Sequence, residues 1–193
     1  MSSEIIRMFY TEFDSLLPED KKGVTFYPAK FAKQIDDVND WVYDTVNNGF
    51  VCLFLGLMFR VYKCGFATTQ QAYENNVFPL FKSLDRLEEM LSKSSGKYLL
   101  GNELTEADIR LYVTIIRFDP VYVQHFKCNI GTIRHKYIPS FDTKLMVSYP
   151  KLNAWMKHLY WEIPGFKETT NFTHIKAHYM MSHPSVSSLY FVF

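Results

Sequence analysis

Cysteine is scarce in this chain of 193 residues: there are three, Cys52, Cys64 and Cys128. An odd count that cannot fully pair argues against a disulfide-stapled secreted scaffold and for free thiols in a reducing cytoplasm. The N-terminus carries Glu4 and Arg7 where a signal peptide would be apolar. Long apolar runs are missing as well. The longest, Phe50 to Phe59, has ten residues, about half of the roughly 20 that a bilayer-spanning helix needs, so no membrane association is expected. Neither sign of charge dominates, with 21 basic and 20 acidic side chains and a net charge of +1. That balance excludes the concentrated basic surface by which nucleic acids are bound. Repeats and low-complexity tracts are absent. Strand-like composition is confined to Gly23–Tyr27 and Leu189–Phe193.

What the chain has is apolar content, 48% of its residues, enough for a core and too much for disorder. Its periodicity is helical. Phe31, Ile35, Val38, Trp41, Val42 and Val46 fall on one face of a helix predicted from Pro28 to Asn47. Val77, Leu80, Phe81, Leu84, Leu87 and Leu91 stripe a second helix over Thr69–Leu91, where Pro79 predicts a kink. A third helix starts after Thr105. There Thr105 and Asp108 are spaced as a capping box, with Leu104 and Ile109 as its hydrophobic staple. Further helices are expected over Pro150–Tyr160 and Thr170–Met181. The fold class read from these patterns is all-α, a bundle of about five to seven helices with little or no sheet.

Several blocks carry a resemblance. The segment Gly101-Asn-Glu-Leu-Thr-Glu-Ala-Asp-Ile-Arg-Leu-Tyr112 resembles the capped core helix of the glutathione transferase helical domain. Four others are more specific: Ser2-Ser-Glu-Ile-Ile-Arg-Met-Phe9, Val61-Tyr-Lys-Cys-Gly-Phe-Ala-Thr-Thr-Gln70, Arg117-Phe-Asp-Pro-Val-Tyr-Val-Gln-His-Phe-Lys-Cys-Asn129 and Asn171-Phe-Thr-His-Ile-Lys-Ala-His-Tyr179. Together they resemble the xi class, the S-glutathionyl-hydroquinone reductases. The resemblance implies a glutathione transferase C-terminal helical bundle over 28–183, preceded in 1–27 by the end of a thioredoxin-like domain and a linker. Inserts near 50–60 and 137–148 and an atypical tail over 184–193 depart from the family pattern. So does the start, inside the family's glutathione-binding Glu-Ser pair and without its Cys-Pro motif. Such departures are what retained introns in a gene model would produce.

In that family a cysteine of the thioredoxin-like domain attacks the glutathionyl sulfur of a glutathionyl-hydroquinone, and a second glutathione resolves the mixed disulfide. The resemblance assigns Tyr62 and Tyr179 to the substrate's phenolic oxygen, a role that a phenol can fill as donor or acceptor. It places Tyr122 and His125 in or beneath the same pocket. Ser2 matches the serine that meets the γ-glutamyl end of glutathione, although a residue alone at a terminus is expected to be disordered. Thr105 and Asp108 read as a structural cap. The neighbouring lysines make Cys64 and Cys128 tempting nucleophiles, but inert, partly buried thiols are the expectation. His174, His178 and His183 lack a metal-site motif, so no metal is expected. The implied partners are glutathione as co-substrate, hydroquinone-type aromatic conjugates and a second copy in a homodimer. The competing reading is a non-catalytic helical interaction or dimerisation module, or a truncated gene-model product.

Overall fold

The computed structural model describes residues 2–47, 60–129 and 148–183. Among them no strand forms, only an isolated antiparallel bridge between Tyr98 and Gly101. The helices are α1 (Ser2–Met8), α2 (Ala32–Val42), α3 (Arg60–Gly65), α4 (Gln70–Lys93), α5 (Glu106–Ile115), α6 (Val123–His125), α7 (Pro150–Glu162) and α8 (Phe172–Ser182). Two π-helical turns, Tyr43–Asn47 and Phe118–Tyr122, extend α2 and link α5 to α6. The all-α bundle read from the sequence is thus the fold. Gly23–Tyr27, strand-like in composition, is a turn and an extended connection: with no partner strand beside it, its backbone turns toward α5, where the Phe26 carbonyl accepts from Glu106 N–H at 2.7 Å. The expected inserts and tail, together with Cys52, fall almost wholly outside the described residues.

Helix α4 is the spine. Thr69 caps it by accepting from Ala72 N–H at 3.2 Å, and its inward stripe is Tyr73, Val77, Leu80, Phe81, Leu84, Leu87 and Leu91. Pro79 lies inside a helix that runs on unbroken to Lys93, because burial of the stripe on both sides outweighs one lost backbone hydrogen bond. Leu80, Leu84 and Leu87 are fully buried, and each contributes about 1.5–3 kcal/mol by leaving water. Helix α3 packs along α4, α7 against α4 and α5, and α2 against α5. The α7 N-terminus is fixed by α4 itself: both oxygens of Glu88 accept backbone N–H groups, of Lys151 at 2.7 Å and Leu152 at 2.8 Å. A carboxylate there satisfies two orphan donors and the helix dipole together.

The start of α5 is the best-bonded point of the bundle. Asp108 Oδ2 accepts from the Thr105 N–H at 3.1 Å and from its hydroxyl at 2.9 Å. Its other oxygen accepts from Leu99 N–H and from Trp155 Nε1–H, both at 2.9 Å. Burial pushes this carboxyl up, and the four donors oppose that.

The chain's first helix, α1, starts at Ser2 rather than trailing off. Arg7 explains why. Its Nε donates to Glu106 at 2.9 Å and its Nη2 to Asp36 at 2.7 Å. The guanidinium lies 3.6 Å from the centre of the Tyr27 ring, and Tyr27 in turn donates to Asp36 at 2.7 Å. Glu106, only 1% exposed, also accepts from Asn39 and Arg110, each at 3.2 Å.

Candidate functional site

Phe126 is fully buried where α3, the second π turn, α6 and α8 converge. Tyr62 arrives from α3 with its ring centre 4.4 Å from that of Phe126. Tyr122 comes from the π turn at 6.0 Å, His125 from α6 at 4.9 Å and Tyr179 from α8 at 5.8 Å. Gly65 makes the approach possible. A Cβ at that position would sit 2.5 Å from Phe126 Cδ1, so only glycine lets the end of α3 lie against the ring.

The four residues that the xi-class resemblance assigned to the substrate are therefore brought together. The hydroxyls of Tyr122 and Tyr179 are 3.1 Å apart, and Tyr62 lies close enough for Tyr179 to act on its phenol. Burial, and then the neighbouring Tyr179, pushes both Tyr62 and Tyr122 above the usual phenol range. Burial, and then His183, pulls His125 below the usual imidazole range. These groups are neutral at pH 7, so the site offers phenol and imidazole hydrogen bonds within aromatic walls. Ser2 opens α1 on a different element, and its side chain lies outside the described ones.

A cavity of about 520 Å³ opens between α5, the 163–171 connection and α8; Tyr62, Tyr122, His125 and Tyr179 are not among its lining residues. Its walls include Ile109, Val113, Phe166 and Ile175, with Arg117 and His174 among the polar lining. The positive charge of Arg117 also acts on Tyr62 and Tyr122. Leu104 and Ile109, spaced as a staple in the sequence, form part of this wall.

Residues 70–158 match the family described as "Glutathione S-transferase, C-terminal domain". "Glutathione S-transferase omega-like 2" of Schizosaccharomyces pombe is 52% identical over 189 residues, covering 97% of this chain and 53% of that protein. "Glutathionyl-hydroquinone reductase YqjG" of Escherichia coli is 45% identical, covering 96% of this chain and 48% of that protein. The crystal structure of glutathione transferase Xi 1 from Trametes versicolor superposes with a TM-score of 0.76 at 54% identity, covering 96% of this chain and 55% of that one. The chain is an all-helical domain of the glutathione S-transferase C-terminal type. It spans about half the length of the curated relatives that it matches.

The transferase-type domain keeps its two described thiols inside. Cys64 and Cys128 are both fully buried, more deeply than the sequence suggested, and the Cys128 Sγ lies 3.6 Å from the carbonyls of Val61 and Phe126. Burial, and then its contact with Cys64, pushes the Cys128 thiol well up, the opposite of what a nucleophile needs. Among the described residues, no group of three or more His, Cys, Asp or Glu side chains is gathered for a metal, and no helix is long and apolar enough to cross a membrane.

Besides Phe126 itself, sequence reasoning missed two members of the aromatic cluster. His183 closes it from the end of α8, 5.3 Å from Tyr62 and 6.0 Å from Tyr179 in a near-parallel stack. Phe66 flanks Phe126 at 6.3 Å. Both side chains stood in or beside the motifs quoted above. Neither helical spacing nor motif position showed that they would face Phe126.

Proposed function

We propose that this chain forms the aromatic-substrate half of a glutathione-dependent S-glutathionyl-hydroquinone reductase site of the xi class. The observation that carries the reading is the convergence of Tyr62, Tyr122 and Tyr179 around Phe126, with the Tyr122 and Tyr179 hydroxyls 3.1 Å apart. Phenol donors of this kind suit a hydroquinone oxygen, and the aromatic rings around them suit its face. The name of the E. coli relative supports the same substrate class.

The reactive thiolate belongs in this proposal to a thioredoxin-like half. It attacks the glutathionyl sulfur of the conjugate, the carbon–sulfur bond breaks, and a proton completes the released hydroquinone. A second glutathione then attacks the mixed disulfide, giving glutathione disulfide and the free thiol. Ser2 at the head of α1 meets the γ-glutamyl end of glutathione when that half is in place. Neither Cys64 nor Cys128 takes part, so the chain alone has negligible thiol-transfer activity. A cytoplasmic homodimer belongs to the same reading.

A second reading, a non-catalytic interaction module, is favoured by the exposed apolar side chains of the N-terminal segment. Ile5, Met8, Phe9 and Leu16 are 43–77% exposed, as expected of a face that meets another protein.

The test joins the 193 residues behind a thioredoxin-like domain with a Cys-Pro helix start and supplies glutathionyl-menadione with glutathione. Turnover by the joined protein and none by the chain alone is expected. No turnover by the joined, folded protein overturns the reductase reading in favour of the interaction module. Turnover by the chain alone, abolished by Cys64→Ser, overturns the placement of the reactive sulfur.

A further inference from the structure

A hydroxyl group has one hydrogen to give and two lone pairs to receive with. At Tyr179 one donor is at hand: Tyr122 lies against it with oxygens 3.1 Å apart. Tyr122 is 6% exposed; its ring is hemmed edge-on by Phe118, Phe126 and Tyr179 at 5.7, 6.0 and 5.8 Å. Its hydroxyl hydrogen therefore has Tyr179 as its acceptor. With that hydrogen arriving, the Tyr179 hydrogen is left over, on a residue that is partly exposed.

We infer that Tyr122 is a positioning residue: by donating to Tyr179 from below, it turns the Tyr179 hydroxyl into an outward-facing donor for the phenolic oxygen of a ligand. The inference rests on the aromatic-substrate reading above and adds to it a division of labour. Tyr179 touches the ligand, whereas Tyr122 acts only through Tyr179. Without the Tyr122 hydrogen, the Tyr179 hydroxyl can turn inward and spend its hydrogen on the protein. The incoming donor also polarises the outgoing one, since hydrogen bonds in a chain strengthen each other.

A double-mutant cycle on the full 193-residue chain separates this role from a structural one. The probe is 4-methoxyphenol, a redox-stable phenol, titrated by NMR into the unaltered chain, Tyr122→Phe, Tyr179→Phe and the double variant. Tyr122→Phe is expected to weaken binding about three- to tenfold in the unaltered background, the range of one modest hydrogen bond, and to have no effect once Tyr179 is phenylalanine. An equal loss in both backgrounds means that Tyr122 touches the ligand or merely supports the fold, and overturns the inference. A ligand-free measurement accompanies the cycle. With 13C at the Tyr179 Cζ, the resonance is expected to move on Tyr122→Phe, and an unmoved resonance overturns the inference whatever the probe does. If the unaltered chain fails to bind the phenol while that resonance moves, the aromatic-substrate reading falls and the hydroxyl arrangement is supported.

Discussion

The indole N–H of Trp155 donates to Asp108 at 2.9 Å, which ties α7 to the first turn of α5 through a buried carboxylate. The same oxygen also accepts from Leu99 N–H, so three chain segments meet on one side chain. Asp108→Ala leaves the Trp155, Leu99 and Thr105 donors buried without their acceptor. The expected loss is about 3–5 kcal/mol, since each stranded buried donor costs about 1–3 kcal/mol and neighbours are not additive. Denaturant unfolding measures it; a loss under 1 kcal/mol would mean that the lock contributes little.

Gly65→Ala is expected to loosen the aromatic cluster specifically. The new methyl group would sit 2.5 Å from Phe126 Cδ1 and 3.1 Å from its Cα, too close for side-chain motion alone to relieve. Overpacking of this kind costs about 1–3 kcal/mol. Tyrosine ring resonances of the cluster should broaden or shift, whereas those of Tyr27 and Tyr149, on other parts of the bundle, should not.

Stability should fall on mild acidification. Burial, and then His183, holds His125 below the ordinary imidazole value of 6.5. Burial, and then His178, does the same for His183. Between the lowered folded values and 6.5 the unfolded chain binds more protons, so stability falls as pH drops from 6.5 through that window and levels off below it. Thermal melts from pH 7 to pH 5 should show the decline, and His183→Gln should flatten it. An unchanged slope in that variant would place the sensitivity elsewhere.

Removing the Arg7 guanidinium should release α1. Arg7→Met takes the partner from Asp36 and one cation from the buried Glu106, which keeps Arg110 and Asn39. Because Glu106 stays partly compensated, the expected cost is about 2–3 kcal/mol rather than the full penalty of a stranded charge. Chymotryptic cleavage at Phe9 and Tyr10 should accelerate before the rest of the bundle is attacked. Equal protection in both proteins would show that the apolar contacts of α1 suffice.

The elements most legible in the sequence were those where burial alone sets the pattern. The α4 stripe from Val77 to Leu91 is buried as its spacing predicts, and of the α7 face expected at Leu152, Trp155, Met156 and Leu159 all are buried but Met156, which is half-buried. The cap at Thr105 and Asp108 was visible because three-residue spacing is a local property; the Leu99 and Trp155 arms were not, because they close over sequence separations of 9 and 47 residues. Helix α1 was missed for a similar reason. Seven residues are too few for helical propensity to decide, and what holds them is an ion pair to Glu106, 99 positions away. The tyrosine cluster lay between these cases. Motif resemblance named Tyr62, Tyr122, His125 and Tyr179, while the hub, Phe126, looked like any other core aromatic.

That hub has a consequence for how such a pocket can diversify. Tyr62, Tyr122, His125, Tyr179 and His183 descend from three separate stretches of chain, yet every one of their rings leans on Phe126. A change in any single member shifts the seat of the others, so altered ligand preference should come from correlated replacements and seldom from one. Libraries that vary these positions jointly, with Phe126 held fixed, are the efficient route to new specificities.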